Sequence, residues 1–267
     1  MLLSVVAPER FEQVRLEFHP IRRGYLTGGA LGGALLGAGM AIAGACPGMV
    51  LPQVGTGLPN AVLTTLGGIA GALAFGLLEP VLRPAALDKG SQCCGTADDF
   101  IDVKLKKPFA MLCLPLGVVC AGAALALEFI FPFEADLGLA VGGAELSRVV
   151  SAKAWPPALA GFLLGSLQLP AALLIKDSLG SSSSYECVAS LWLTLAPQST
   201  RASFKYLESK RTGGVGSWWQ LFYVTFAVLG AYLSSLLSET FPTTASGVQT
   251  PAALAGGFLM LFGARLG

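Results

Sequence analysis

Runs of about 20 residues with almost no charge recur six times along this chain, and they constrain its fold more than any other feature. A helix needs roughly 20 apolar residues to cross ~30 Å of hydrocarbon. Five runs, near 25–45, 58–78, 108–127, 155–175 and 218–238, carry no charge, and a sixth, 251–267, carries only Arg265. Lipid offers no hydrogen bonds to the backbone, so such runs must be helical. Charged residues make up 12% of the 267 positions, about half the share of an ordinary soluble domain, and the mean hydropathy is +0.67. The expected fold is an all-α polytopic membrane protein with about six transmembrane helices. The net charge of +1 argues against nucleic acid, which needs a basic field on one face. A single histidine, His19, excludes a multi-histidine metal site, and no cofactor is expected.

A shorter apolar run, 185–196, follows the polar stretch "KDSLGSSSS" and cannot cross. It reads as a re-entrant or broken half-helix, whose irregular backbone must be buried in protein or line water. Lys and Arg in the connections set orientation. Four arginines precede Tyr25 (Arg10, Arg15, Arg22 and Arg23). Five basic residues fall in 79–107 and four in 197–217, whereas 46–57 and 239–250 have none. These counts place the N-terminus, 79–107 and 197–217 on the cytoplasmic side. Residues 1–24 then form a cytoplasmic segment, and 25–267 a single domain embedded in the plasma membrane.

The stretch "GAGMAIAGACPGMVLPQVGTG" (37–57) is apolar, yet Pro47, Gly48 and Pro52 interrupt it around a lone thiol, Cys46. Pro47 and Gly48 are expected to end one helix and let another begin at depth. Glycines repeat every fourth residue at Gly29, Gly33 and Gly37, at Gly28 and Gly32, at Gly67 and Gly71, and at Gly161 and Gly165. That spacing lets helix backbones approach closely, and tight packing is its plainest meaning. Set beside "GGALLGAGMAIAGAC" (32–46), "GGFLMLFGARLG" (256–267) matches Gly32-Gly33 with Gly256-Gly257, Leu35 with Leu259, and Gly39 with Gly263. By the charge-derived topology the two segments run in opposite directions, the mark of an inverted-repeat transporter.

With "LGSSSSY" (179–185), "WPPALAGFLLGSLQLP" and "GGFLMLFGARL", these motifs resemble the YeeE/YedE sulfur-transport family, whose characterised members take up thiosulfate. The resemblance covers roughly 25–80 and 108–267. It implies an hourglass of helices with inverted halves, whose central loops meet near the midplane and whose cysteines contact the cargo and hand it along. Cys46 falls on the cysteine of the first Gly-Ala-Cys-Pro-Gly loop. The second loop, which would start at Gly263, is not among the 267 residues, so the chain is expected to be a truncated member. The resemblance further implies a cytoplasmic sulfurtransferase as a possible partner.

Thiosulfate is a dianion with a soft terminal sulfur, and a buried lysine or arginine would be a costly way to hold it. Broken helices supply positive potential instead, because their first N–H groups point at the anion with about half a unit charge. A neutral thiol is a weak donor that suits the soft sulfur. The candidate binding residues are Cys46, Pro47, Gly48 and Gln53 in the first loop, with Ser181, Ser182 and Ser183 expected to cap a half-helix. Arg265 has two readings, an attractor of anions or a side chain that snorkels to the cytoplasmic face. Cys113 and Cys120 lie seven apart on one helix face and read as core packing, while Cys93 and Cys94 lie in a polar loop. The favoured function is a membrane transporter rather than an enzyme, taking up an inorganic sulfur compound. The alternatives are an intramembrane thiol oxidoreductase and an inactive transporter fragment. Topology is directly testable: cysteines introduced at Asp98, Thr212 and Thr244 should react with an impermeant maleimide in intact cells only at Thr244. Labelling at Thr212 would overturn the re-entrant assignment.

Overall fold

The computed structural model describes residues 25–82, 102, 105–132, 155–175, 180–195, 197–198, 201, 204, 206–208 and 215–266. Most of the basic connections behind the topology, and Cys93 and Cys94, lie outside these residues. Every long element described is a helix. In chain order they are α1 (Tyr25–Ala43), α2 (Pro47–Gly55), α3 (Ala61–Leu82), α4 (Phe109–Ile130), α5 (Pro157–Ser166), α6 (Ser181–Ser190), α7 (Val215–Leu237) and α8 (Thr250–Leu266). Five helical stretches are long and apolar enough to span a bilayer, and α8 is a shorter apolar helix. Each of the six expected spans therefore has its helix, and the run expected not to cross forms the ten-residue helix α6.

The described helices fall into two compact units. One holds α4 and α5. The apolar surface of α4 is exposed along its length, with Phe129 89% accessible, as suits lipid contact. Cys120 is exposed and Cys113 only half-buried, so the core packing expected for this pair is not what the helix provides. α5 continues through a short turn, Gln168–Pro170, into a π-helical segment, Ala171–Ile175.

The other unit holds α1, α2, α3, α6, α7 and α8. Its centre is the antiparallel contact of α1 with α8. A Cβ built on Gly39 would lie 2.3 Å from the Met260 backbone nitrogen, and one on Gly256 would lie 2.6 Å from that of Ala43. At the other end of the contact a Cβ on Gly263 would lie 2.4 Å from the Leu36 nitrogen and 2.8 Å from the Gly32 carbonyl. Since Gly32 matches Gly256 and Gly39 matches Gly263, the two repeat-related helices meet reciprocally. α3 covers the next face of α8, where a Cβ on Gly67 or Gly71 would strike the Leu254 or Phe258 carbonyl at 2.4 or 2.3 Å.

Not every repeated glycine is used in this way. Around Gly29, Gly33, Gly37, Gly161 and Gly165 a Cβ would meet nothing within 4 Å. Fourfold spacing marks a face that allows close approach, but not which helix comes to fill it.

The break after α1 also has a different author from the one expected. Gly44, at φ +65°, takes the left-handed conformation that terminates the helix. Cys46 is then the extended N-cap residue of α2, and Pro47 occupies its first turn, where a missing N–H is harmless and a fixed φ helps. Pro47 thus starts a helix rather than ending one.

The close contact gives a paired prediction. Gly39→Ala must force α1 from α8, and overpacking of this kind costs about 1–3 kcal/mol. Gly33→Ala should leave stability unchanged or slightly raised. Thermal unfolding of the detergent-purified variants checks both, and equal melting temperatures for the two would overturn the assigned contact.

Candidate functional site

Two short helices begin at the same place. α2 has nine residues and α6 ten, so each rises only about 14–15 Å, half of what a crossing needs. A Cβ placed on Gly48 would lie 3.2 Å from Ser181 Oγ and 4.0 Å from Cys46 Sγ. The absence of a side chain at Gly48 is what lets the start of α6 come this near. The Tyr185 hydroxyl donates to the Pro47 carbonyl at 3.3 Å. Behind these contacts Val50, Leu51, Tyr185, Ala189, Met260 and Leu261 form a buried apolar cluster, with Tyr223 packed against it. That cluster fixes α2 and α6 relative to each other.

Neither helix start is capped by a side chain. Cys46 contributes its carbonyl, which accepts from the Met49 and Val50 amides at 2.9 and 3.2 Å, and leaves its thiol exposed. The serines do not cap α6 as expected. Gly180 is its N-cap residue, and the Ser183 hydroxyl donates to the Gly180 carbonyl at 2.8 Å instead of accepting from an amide. Ser182 accepts a hydrogen bond from Arg265 Nη2 at 3.3 Å. The first amides of both helices therefore keep their positive potential.

Of the residues singled out from sequence, Cys46, Pro47, Gly48 and Ser181 come together. Ser182 lies one residue further along and faces Arg265. Ser183 turns back on its own helix. Gln53 lies near the far end of α2, about two turns from Cys46, where its carbonyl accepts from Thr56 Oγ1 and the Leu58 amide. Gln53 is not part of this cluster.

Sequence reasoning passed over Tyr185 and Glu186. Glu186 lies in the run read as apolar, is fully buried, and pairs with Arg265 (Nε–Oε1 3.2 Å). The Tyr206 hydroxyl hydrogen-bonds to the same Oε1. Arg265 thus neither stands alone nor snorkels outward. An acidic residue within an apolar run of a membrane protein is itself a functional signal, and it was present in the sequence. No disulfide joins the described cysteines, Cys46, Cys113, Cys120 and Cys187.

Comparison with protein-family models matches residues 3–267 to the sulphur transport family, YeeE/YedE. The chain belongs to that family. The match runs through 79–107 as well as the membrane runs, wider than the blocks that carried the resemblance, and does not by itself support the expected truncation. Comparison with curated proteins and with solved structures found no match. With its apolar helices, this sulphur transport family member is an integral membrane protein, and its family's work is the movement of sulfur compounds.

Tyr185→Phe isolates the contact that joins the two helix starts. Losing one hydrogen bond should lower stability by about 1 kcal/mol, a measurable drop in melting temperature without loss of the folded protein. An unchanged melting temperature would mean that the hydroxyl does not hold α2 to α6.

Proposed function

We propose that this protein takes up an inorganic sulfur anion, thiosulfate before others, at the meeting point of α2 and α6. The observation that carries the reading is the convergence of two uncapped half-helix N-termini on one exposed thiol, Cys46. The amides offer positive potential to an anion without placing a cation there. The thiol offers a soft hydrogen bond to the terminal sulfur, which water and hydroxyls match less well. Several weak contacts of this kind let the cargo leave as well as enter. Ser181 adds a hydroxyl from the facing helix. The protein would sit in the plasma membrane with its N-terminus in the cytoplasm, where a sulfurtransferase could receive the cargo.

The test is uptake of labelled thiosulfate, with growth on thiosulfate as the sulfur source. Cys46→Ala should abolish both at equal membrane abundance. Cys46→Ser keeps the size and a donor but replaces a soft partner by a hard one, and should retain little activity. Near-normal uptake by both variants would reduce Cys46 to a packing residue and overturn the site.

A further inference from the structure

Glu186 and Arg265 form an ion pair whose carboxylate is fully buried and whose guanidinium is 18% exposed. Desolvation makes such a pair a poor source of stability, so its presence among apolar helices asks for a use. The geometry ties it to the candidate site. The guanidinium that holds Glu186 also donates to Ser182, the neighbour of Ser181. Ser184, on the same half-helix, is fully buried, and its hydroxyl makes no hydrogen bond. Polar groups thus run from Cys46 and Ser181, both beside Gly48, to Ser182 and its partner Arg265, a track that ends at a cation.

Arg265 is the only group on that track with a full positive charge, and its planar fork matches an oxyanion as well as it matches a carboxylate. Glu186 occupies it at rest. Facing Glu186 are Arg265 on α8 and Tyr206, with Glu79 of α3 acting on Tyr206. Tyr185 precedes it on α6, beside Tyr223 of α7 and Cys46 at the start of α2.

We infer that Arg265 is a second anion-binding residue of the pathway, from which the sulfur oxyanion displaces Glu186, and that Glu186 takes up one proton from water as it is displaced. The inference rests on Cys46 marking the cargo's entry to this track. Charge balance supplies the reason for the proton. The resting pair is neutral, and a dianion arriving beside it would leave two uncompensated negative charges in a low-dielectric interior. Protonation of Glu186 leaves one. Anion and proton therefore bind cooperatively, each strengthening the other by the same factor, and uptake of the anion carries a proton with it.

Binding of sodium thiosulfate and of sodium sulfate to the detergent-purified full chain, measured by calorimetry between pH 5.5 and 8, tests this. Wild-type affinity should rise as pH falls, by up to about tenfold per unit for a one-proton linkage. Glu186→Gln mimics the protonated state, so it should bind both anions at least tenfold more tightly than wild type at pH 8 and show no pH dependence. Arg265→Gln leaves Glu186 buried without its cation and can fail to fold. The neutral double variant Glu186→Gln/Arg265→Gln avoids this, and should be folded but bind at least tenfold more weakly than Glu186→Gln. Wild-type affinity that does not change with pH, or a double variant that binds as tightly as Glu186→Gln, would reduce the pair to a structural one and overturn the inference. Cys46→Ala separates the two readings: if it binds thiosulfate like wild type while Glu186→Gln keeps its gain, the Cys46 site fails and the Arg265 site stands. Absence of thiosulfate and sulfate binding by every variant would overturn both.

Discussion

The backbone-to-backbone approach of α1 and α8 is the contact on which the rest of the described unit depends. In lipid there is no apolar burial to drive helices together, so association falls to close packing and hydrogen bonds. Glycine at 39, 256 and 263 removes the side chains that would hold the two axes apart. With α1 fixed against α8, and α8 against α3, the chain that leaves α1 at Gly44 has little choice of direction. α2 must fold back into the unit, and its first turn is delivered beside α6. A thiol on a freely placed loop would not have this neighbour.

The pairing of equivalent glycines across that contact carries a further meaning. Gly39 of the first segment meets Gly256 of the second, and Gly263 of the second meets Gly32 of the first. Two related helices that touch through exchanged positions lie about a local two-fold axis, as an isologous interface does. The short sequence match between 32–46 and 256–267 therefore has a physical counterpart, and the antiparallel sense inferred from Lys and Arg counts agrees with it.

Much of this was legible in the chain because hydrocarbon thickness sets helix length, and run length is read directly from residues. The loop at Cys46 was legible for a similar reason, since Pro47 and the flanking glycines have few uses in an apolar run. Other features depend on partners that spacing does not name. The stripe at Gly29, Gly33 and Gly37 has the same pattern as Gly67 and Gly71, yet only the latter pair meets a helix here. Ser183 and Ser182 are chemically alike, and only the fold decides that one bonds backwards and the other receives Arg265. Glu186 itself stood in the sequence as an acid within an apolar run, and what spacing did not name is its partner. Its partner lies on another helix, and Ser182, which shares that partner, is 83 positions from it.

α8 carries one charged side chain among its apolar residues, Arg265. A cation on an apolar helix is ordinarily met by stretching its side chain toward the headgroups. Arg265, in the last turn, is instead held inward by Glu186 and Ser182. The protein thus supplies the counter-charge that the headgroups would otherwise provide. The electrical environment of this arginine is set by the fold and not by lipid composition, so a thicker or less anionic membrane would leave it unaltered.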